Sequence, residues 1–574
     1  MVSIIVNGIS TSVADGTTVM KAAAAAGFEI QSLCSHPDLK VKDNCKVCVV
    51  DINGELKTAC TELVAPGMVV KTFTPKVIEE RKKNLKKILS VHPQDCLNCA
   101  RSLNCELQSL ADTLLVRSFD NKPLRLPKDT STPSLIRDMS KCTLCGRCVE
   151  VCNDIQTVGA LEIKDGIVQT ADGLPLAETK CVVCGQCALA CPVGAIIENE
   201  EMDKFLAAVA DPDKIVITQI APAVRVAVAE AIGMPTGSLG MLKFVSGLRQ
   251  LGFDYVFHTN FTADLTILEE GNELLSRLKT GGTLPMITSC SPGWINFIET
   301  FYPDQLDHLS TCKSPQQMFG PLAKTYWAEK MGIDPSKIYS VSIMPCTAKK
   351  FEAARPEMNA SGFRDVDLVL TVRELGKLFN MTQLNFDKIE EGKFDSLLGA
   401  YTGAAVIFGA SGGVMEAALR TVYEVVVGET LEDVNFTMVR GFEGFKEAEV
   451  DLAGTKVKVA VANSLGNARK IMDEIKAGTS PYHFIEVMCC PGGCIGGGGQ
   501  PIPATIEKRK ERIAAIYEED AGLPIRKSHE NPEVKLIYED FLHEPLGHKS
   551  HELLHTHYHP QKQASLSEAA ATKE

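Results

Sequence analysis

The chain is short of positive charge: 59 Lys and Arg face 72 Asp and Glu across 574 residues, a net charge of -13. Binding to phosphate backbones runs on Lys and Arg displacing counterions, so DNA and RNA are poor partners. Long apolar runs are missing as well, although 45% of the residues are hydrophobic. Arg225 breaks the stretch 215–229, and no run reaches the roughly 18 residues of a membrane span. The sequence holds neither a Gly-Lys-Ser/Thr phosphate loop nor a strand-embedded Gly-x-Gly-x-x-Gly, which argues against flavin or nicotinamide bound by this chain itself. The opening Met1-Val2-Ser3-Ile4-Ile5 lacks a basic start and a cleavage site, and there is no twin-arginine stretch, so a cytoplasmic location is expected.

What the chain does have is cysteine, 21 in all, with fifteen before residue 192 and most of those in tight C-x2-C groups. Such spacing in a chain without an export signal favours metal over disulfides. Residues 1–76 open with an apolar run ending in the Asn7-Gly8 turn signal, then a helical pattern at 17–26, then Cys34-x10-Cys45-x2-Cys48-x11-Cys60. Four thiolates meet the need of a 2Fe-2S cluster, with a structural zinc site as the competing reading. His92-x3-Cys96-x2-Cys99-x5-Cys105 follows a helical stretch at 78–89. Within residues 76–87, Lys76, Arg81, Lys82, Lys83, Lys86 and Lys87 form either a solvated helix face or a docking patch for an acidic redox partner.

The strongest spacing signal is an internal repeat, Cys142-x2-Cys145-x2-Cys148-x3-Cys152 and Cys181-x2-Cys184-x2-Cys187-x3-Cys191-Pro192. In two-cluster ferredoxins the fourth cysteine of each run ligates the other cluster. This assigns Cys142, Cys145, Cys148 and Cys191 to one 4Fe-4S cluster, and Cys181, Cys184, Cys187 and Cys152 to a second.

From residue 210 the pattern becomes α/β with largely parallel sheet, with buried strands at 214–220, 284–287, 338–344, 367–371 and 456–462. Three cysteine stretches each follow an apolar run and turn at Pro or Gly: Thr288-Ser289-Cys290-Ser291-Pro292-Gly293-Trp294, Met344-Pro345-Cys346 with Lys349, and Met488-Cys489-Cys490-Pro491-Gly492-Gly493-Cys494 with the glycines 496–499 behind it. Loops at strand ends are where such folds keep their chemistry, so thiolates from all three can meet in one pocket.

Carrying these three stretches behind that cysteine array, the chain resembles the iron-only (FeFe) hydrogenases over almost its whole length. The resemblance implies reversible conversion of H2 to protons and electrons at an H-cluster, a 4Fe-4S cubane bridged to a two-iron centre with CO and cyanide. It also implies a β-grasp fold for residues 1–76 and makes His92 the fourth ligand, beside Cys96, Cys99 and Cys105, of a third 4Fe-4S cluster. A neutral imidazole there leaves the site less negative and raises its potential. By the same resemblance Cys346, Cys490 and Cys494 are cubane ligands, Cys290 is the proton relay, Glu270, Glu273 and Ser310 are its next stations, and Lys349 holds a cyanide. Met344, Met488, Gln316, Pro222 and Gly409 line the pocket, and the backbone amides of 409–413 face a diatomic ligand. Read without the family, Glu270, Glu273 and Arg277 are an ordinary solvated helix face.

Two departures from the family pattern stand out, one at Ser291 and Cys489 and one at Ala223. Ser291 stands where a ligand cysteine is usual, and an additional Cys489 stands beside Cys490, so the fourth cubane ligand is Cys290, Ser291 or Cys489. Ser291 before Pro292 also reads as a helix N-cap. Ala223 stands where a serine often bonds a cyanide. Cys312 fits no cluster motif and reads as a small buried hydrophobe, and the i,i+4 pair His551 and His555 reads as packing.

The expected architecture is multidomain α+β and α/β: a β-grasp ferredoxin domain at 1–76, a small helical His/Cys3 cluster domain at 77–125, a two-cluster ferredoxin-like domain at 126–205, a two-lobed α/β catalytic domain at 210–520, a wrapping C-terminal segment at 521–560 and a disordered tail at 561–574. The array implies electron transfer to ferredoxin, or to flavin- and NAD-binding partner subunits. The competing functions are an electron-wire subunit, an H2 sensor and an iron-sulfur assembly protein on the same fold.

Overall fold

The computed structural model describes residues 1–40, 42–452 and 454–561; the tail from 562 onward lies outside the described residues. Strands Val2–Val6 and Ile9–Val13 form a hairpin whose turn residues Asn7 and Gly8 have φ of 48° and 90°, the left-handed pair that Asn-Gly favours. A five-stranded sheet is completed by Val69–Lys71, Val49–Ile52 and Glu55–Thr58. Val2, Ile4 and Val6 point to one face and meet Val19, Ala22 and Ala23 of helix Val19–Ala25, whose N-cap is Thr18.

Thr74 caps helix Pro75–Val91, which carries the basic run. That run divides. Lys83, Lys86 and Lys87 are exposed, whereas Arg81 turns inward and its Nε donates to the Val49 carbonyl at 2.7 Å, tying helix to sheet. Lys83 pairs with Glu80 at 3.1 Å, so the free charge is smaller than the sequence count.

Two four-stranded sheets carry the larger domain. The first is wholly parallel, in the order Tyr255–His258, Ile215–Ile220, Ile338–Met344, Leu368–Thr371. The second runs Met286–Ile287, Phe484–Met488, Thr455–Asn463 in parallel and ends with Phe445–Leu452 antiparallel at its edge. Two of these strands were not expected from the sequence. Tyr255–His258 is four residues long and runs straight into a helix, too short for its period to show. Phe445–Leu452 is an alternating edge strand whose carboxylates face outward while Lys446 turns inward to the Ser411 and Gly441 carbonyls.

Helix Ile506–Gly522 runs across the expected domain boundary at 520 and ends at Leu523, where the following proline prevents continuation. The segment beyond it braces the larger domain: His529 Nε2 meets Glu424 at 2.9 Å, and Asn531 donates to Asp264 at 2.9 Å. Among the described residues no helix is long and apolar enough to cross a membrane.

Candidate active site

Three of the four N-terminal cysteine sets are brought together in the fold. Cys34, Cys45, Cys48 and Cys60 are all buried, with Cys34 and Cys45 sulfurs 3.4 Å apart. His92 is drawn in beside the Cys96–Asn98 turn with its Nδ1 buried and without a hydrogen-bond partner, as a nitrogen reserved for a metal would be. One cavity is lined by Cys142, Cys145, Cys148 and Cys191, and a second by Cys152, Cys181, Cys184 and Cys187. The repeat shows in the backbone too: Leu144 and Gly146 (φ 55° and 78°) match Val183 and Gly185 (49° and 72°). These left-handed residues curl each loop so that the Leu144 and Val183 amides donate to the Cys142 and Cys181 sulfurs at 3.3 and 3.4 Å. Burial pushes Cys142 and Cys152 up to about 11 and Cys145 up to about 12. Thiols packed this way ionise when a bound metal supplies the compensating charge.

The second of these loops abuts the larger domain. Thr347 Oγ1 donates to the Val183 carbonyl at 2.9 Å, and Gln186 Nε2 to the Gly496 carbonyl at 2.8 Å. The glycine run is explained here. A Cβ on Gly497 would stand 2.2 Å from the Pro345 carbonyl oxygen, and one on Gly498 2.4 Å from that of Cys184. Only bare backbone fits between the loops of Cys184 and Cys346.

Behind this contact lies a cavity that collects the three strand-end loops. Cys290, Cys346, Cys490 and Cys494 line it with Pro222, Gln316, Met344, Lys349, Gly409 and Met488. Trp294 is fully buried and its Nε1 donates to the Thr288 carbonyl at 3.2 Å, while Thr288 Oγ1 accepts from the Val487 amide, fixing the first loop against the third. Lys349 Nζ lies 2.7 Å from Ser314 Oγ, 2.8 Å from Glu352 and 3.2 Å from the Cys290 carbonyl. The Gln316 Oε1 atom is buried and unpartnered. Gly409 packs between Ile516 and Ala223: a Cβ there would stand 2.5 Å from Ile516 Cδ1 and 3.3 Å from the Ala223 Cβ.

The expectation for the amides that follow Gly409 is corrected. Ser411 N donates to the Gly492 carbonyl at 3.0 Å, and the Gly412 and Met415 amides donate to the buried Glu486 carboxylate at 2.6 and 2.7 Å. A buried carboxylate outcompetes a neutral diatomic for a helix N-terminus.

The solvated-face reading of helix Thr259–Thr280 is also overturned. Glu270 is 2% exposed and Glu273 8%. Burial and the neighbouring Glu273 push the Glu270 carboxyl up to about 8. Ser310 Oγ donates to Glu273 at 2.8 Å, and Arg277 bonds the same carboxylate at 2.7 Å while also donating to the Leu309 carbonyl. Burial and Glu270 push the Cys290 thiol well up, so it stands neutral beside a carboxyl that exchanges protons near neutral pH. Sequence reasoning missed Glu269, which is fully buried and bonded by Tyr538, the Leu546 amide and His555. Its partners all come from the C-terminal segment, so no local signal marked it. His555 also bonds Thr311 at 2.8 Å, and Cys312 is fully buried beside it.

Family models place these features. "Iron only hydrogenase large subunit, C-terminal domain" matches residues 214–498 and "Iron hydrogenase small subunit" 506–561. A 2Fe-2S cluster binding domain matches 1–75, the NADH-ubiquinone oxidoreductase-G iron-sulfur binding region 81–118 and a 4Fe-4S dicluster domain 141–195. The NADP-reducing hydrogenase subunit HndD of Solidesulfovibrio fructosivorans is 47% identical, over 97% of this chain and 99% of that one. This chain belongs to the iron-only hydrogenase family. Iron hydrogenase 1 of Clostridium pasteurianum is 41% identical over 97% of this hydrogenase and 100% of that relative. A solved [FeFe]-hydrogenase HydA1 from Chlamydomonas reinhardtii shares 43% identity with a TM-score of 0.57, covering 63% of this chain and 99% of that one.

The cavity of this hydrogenase suits the family's H-cluster in its donor set: buried soft thiols for iron, a buried ammonium for an anionic ligand, and apolar methionine walls. Ser291 occupies the N-cap position of helix Pro292–Phe301, but its side chain makes no capping bond; the hydroxyl instead accepts from the Cys489 amide at 3.2 Å.

Proposed function

We infer that this hydrogenase interconverts H2 with protons and electrons at an H-cluster held by Cys346, Cys490 and Cys494, with electrons passing along one 2Fe-2S and three 4Fe-4S clusters in the N-terminal region. The observation that carries the reading is the position of one cavity. It is lined by Cys184 on one side and by Cys290 on the other, and behind Cys290 lie Glu270, Ser310 and Glu273. Electrons and protons thereby have separate exits from the same place.

The cluster, when bound, supplies the acid that polarises H2 and the store that takes its electrons. The rest of the work falls to side chains. Cys290 holds a proton on sulfur and hands it to Glu270, whose pKa of about 8 leaves both its forms populated at neutral pH. Ser310 and Glu273 carry the proton onward, with Arg277 keeping Glu273 oriented. Lys349, fixed by Ser314 and Glu352, presents its ammonium to an anionic ligand.

The reading includes a β-grasp fold for the first sheet, a His/Cys3 domain, a ferredoxin-like pair and two catalytic lobes as separate folding units. It takes the acceptor from the likeness to HndD, named as an NADP-reducing subunit: flavin- and NAD(P)-binding subunits, or ferredoxin, receive electrons at the Cys34 end. The sensor, assembly-factor and wire readings lose ground to the intact Cys290–Glu270–Ser310–Glu273 series. Matured protein purified without oxygen should reduce a low-potential dye under H2 and carry about 20 iron atoms per chain. Fewer than about 12 iron atoms after full reconstitution, or zinc in the N-terminal sites, would defeat the array.

A further inference from the structure

We propose that Cys489, rather than Ser291 or Cys290, supplies the fourth thiolate of the cubane. The inference rests on the hydrogenase reading above and concerns which residue completes the metal site. A 4Fe-4S cluster takes four protein ligands, most often thiolates, and Cys346, Cys490 and Cys494 provide three.

The three candidates face different ways. Cys290 stands on the proton side, next to Glu270, and its carbonyl is held by the Lys349 ammonium. Ser291 Oγ already accepts a hydrogen bond from the Cys489 amide, and a serine hydroxyl is a hard, weakly acidic donor that suits iron-sulfur clusters less well than thiolate. Cys489 lines the cavity and is 4% exposed, and its Sγ shares the space over Gly293 with the Cys184 Cβ. It therefore lies on the electron side, between the three cubane cysteines and the nearest cluster of the array.

The room for that sulfur is built in. A Cβ on Gly293 would stand 2.7 Å from Cys489 Sγ and 3.3 Å from Cys489 Cβ, so the thiol sits over a bare glycine two residues past Ser291. Ser291 and Cys489 meet at one contact, so a thiolate from either position would reach the same place. Gln156 holds the Cys489 backbone, its Nε2 donating to the Cys489 carbonyl at 3.0 Å while its Oε1 accepts from the Leu465 amide. On cluster binding the thiol releases its proton to solvent, and the sulfur lone pair forms the bond to the fourth iron.

The test uses the full chain expressed without maturation, so that it holds the cubane but no two-iron centre, and reads iron content and Mössbauer spectra. Wild type should carry about 18 iron atoms, and Cys489→Ala about 14 with one 4Fe-4S component missing. Ser291→Ala and Cys290→Ala should both keep about 18. The double variant Cys489→Ala/Ser291→Cys returns a thiolate to the other side of the contact and should recover the missing component. If Cys489→Ala fails to accumulate, that double variant decides: it must accumulate with the full set of clusters, and its failure to do so overturns the assignment. Cys489→Ala with unchanged iron and spectra, or loss of the cubane in Ser291→Ala or Cys290→Ala, also overturns it. None of these outcomes touches the hydrogenase reading, which falls instead if matured wild type shows no CO or cyanide bands in the infrared.

Discussion

Replacing Cys290 with alanine should lower H2 turnover by about 10²- to 10⁴-fold while leaving the iron content and the CO and cyanide infrared bands in place. The reasoning is positional. Cys290 lines the cavity, its thiol is kept neutral by burial and by the Glu270 carboxylate, and Glu270 in turn connects to Ser310 and Glu273. Alanine removes the first proton carrier, and the protein offers no other acidic group between the cavity and Glu270 among the residues that line it. Turnover with a dye in both directions, set beside iron analysis, separates this role from ligation: a relay variant keeps its metal and a ligand variant loses it.

Glu270→Gln should impair turnover by a similar factor, and it should change stability with a sign opposite to that of an ordinary ion-paired glutamate. The folded-state pKa of about 8 lies above the ordinary 4.5. Below about pH 4.5 the carboxyl is neutral folded or unfolded and costs nothing. As pH rises from there to about 8 the unfolded chain ionises and the folded one resists, so wild type loses stability across that window, by on the order of 4 kcal/mol in total. Glutamine carries no such loss. The unfolding midpoint of the variant should therefore match wild type near pH 4.5 and exceed it progressively up to pH 8. A difference that stays flat with pH would mean that Glu270 titrates normally and that the relay has been misplaced.

Much of this was legible in the sequence because metal clusters constrain spacing. The 2-2-3 rhythm of the paired runs cannot vary without losing a ligand, and the three catalytic cysteine loops fall at strand ends because the parallel sheets deliver them there. The relay carboxylates were harder. Glu270, Glu273 and Arg277 share a helix face by spacing alone, but that spacing is identical for a solvated face; what covers Glu273 and Arg277 is the 309–311 loop and, at Glu273, His555 of the C-terminal segment, hundreds of residues away. Glu269 escaped notice for the same reason. Ser291 shows the limit of local rules: the Ser-Pro pattern of a helix start is real, yet the hydroxyl is spent on Cys489, a residue 198 positions distant.

The central claim is that the cavity of Cys290, Cys346, Cys490 and Cys494 holds the H-cluster. Infrared spectra of the chain produced with and without its maturation system test it most directly. Matured protein should show bands of iron-bound CO and cyanide that shift when the gas is changed from argon to H2, and the unmatured chain should show none while keeping its iron-sulfur clusters. Matured protein carrying its full iron yet lacking those bands would contradict the account.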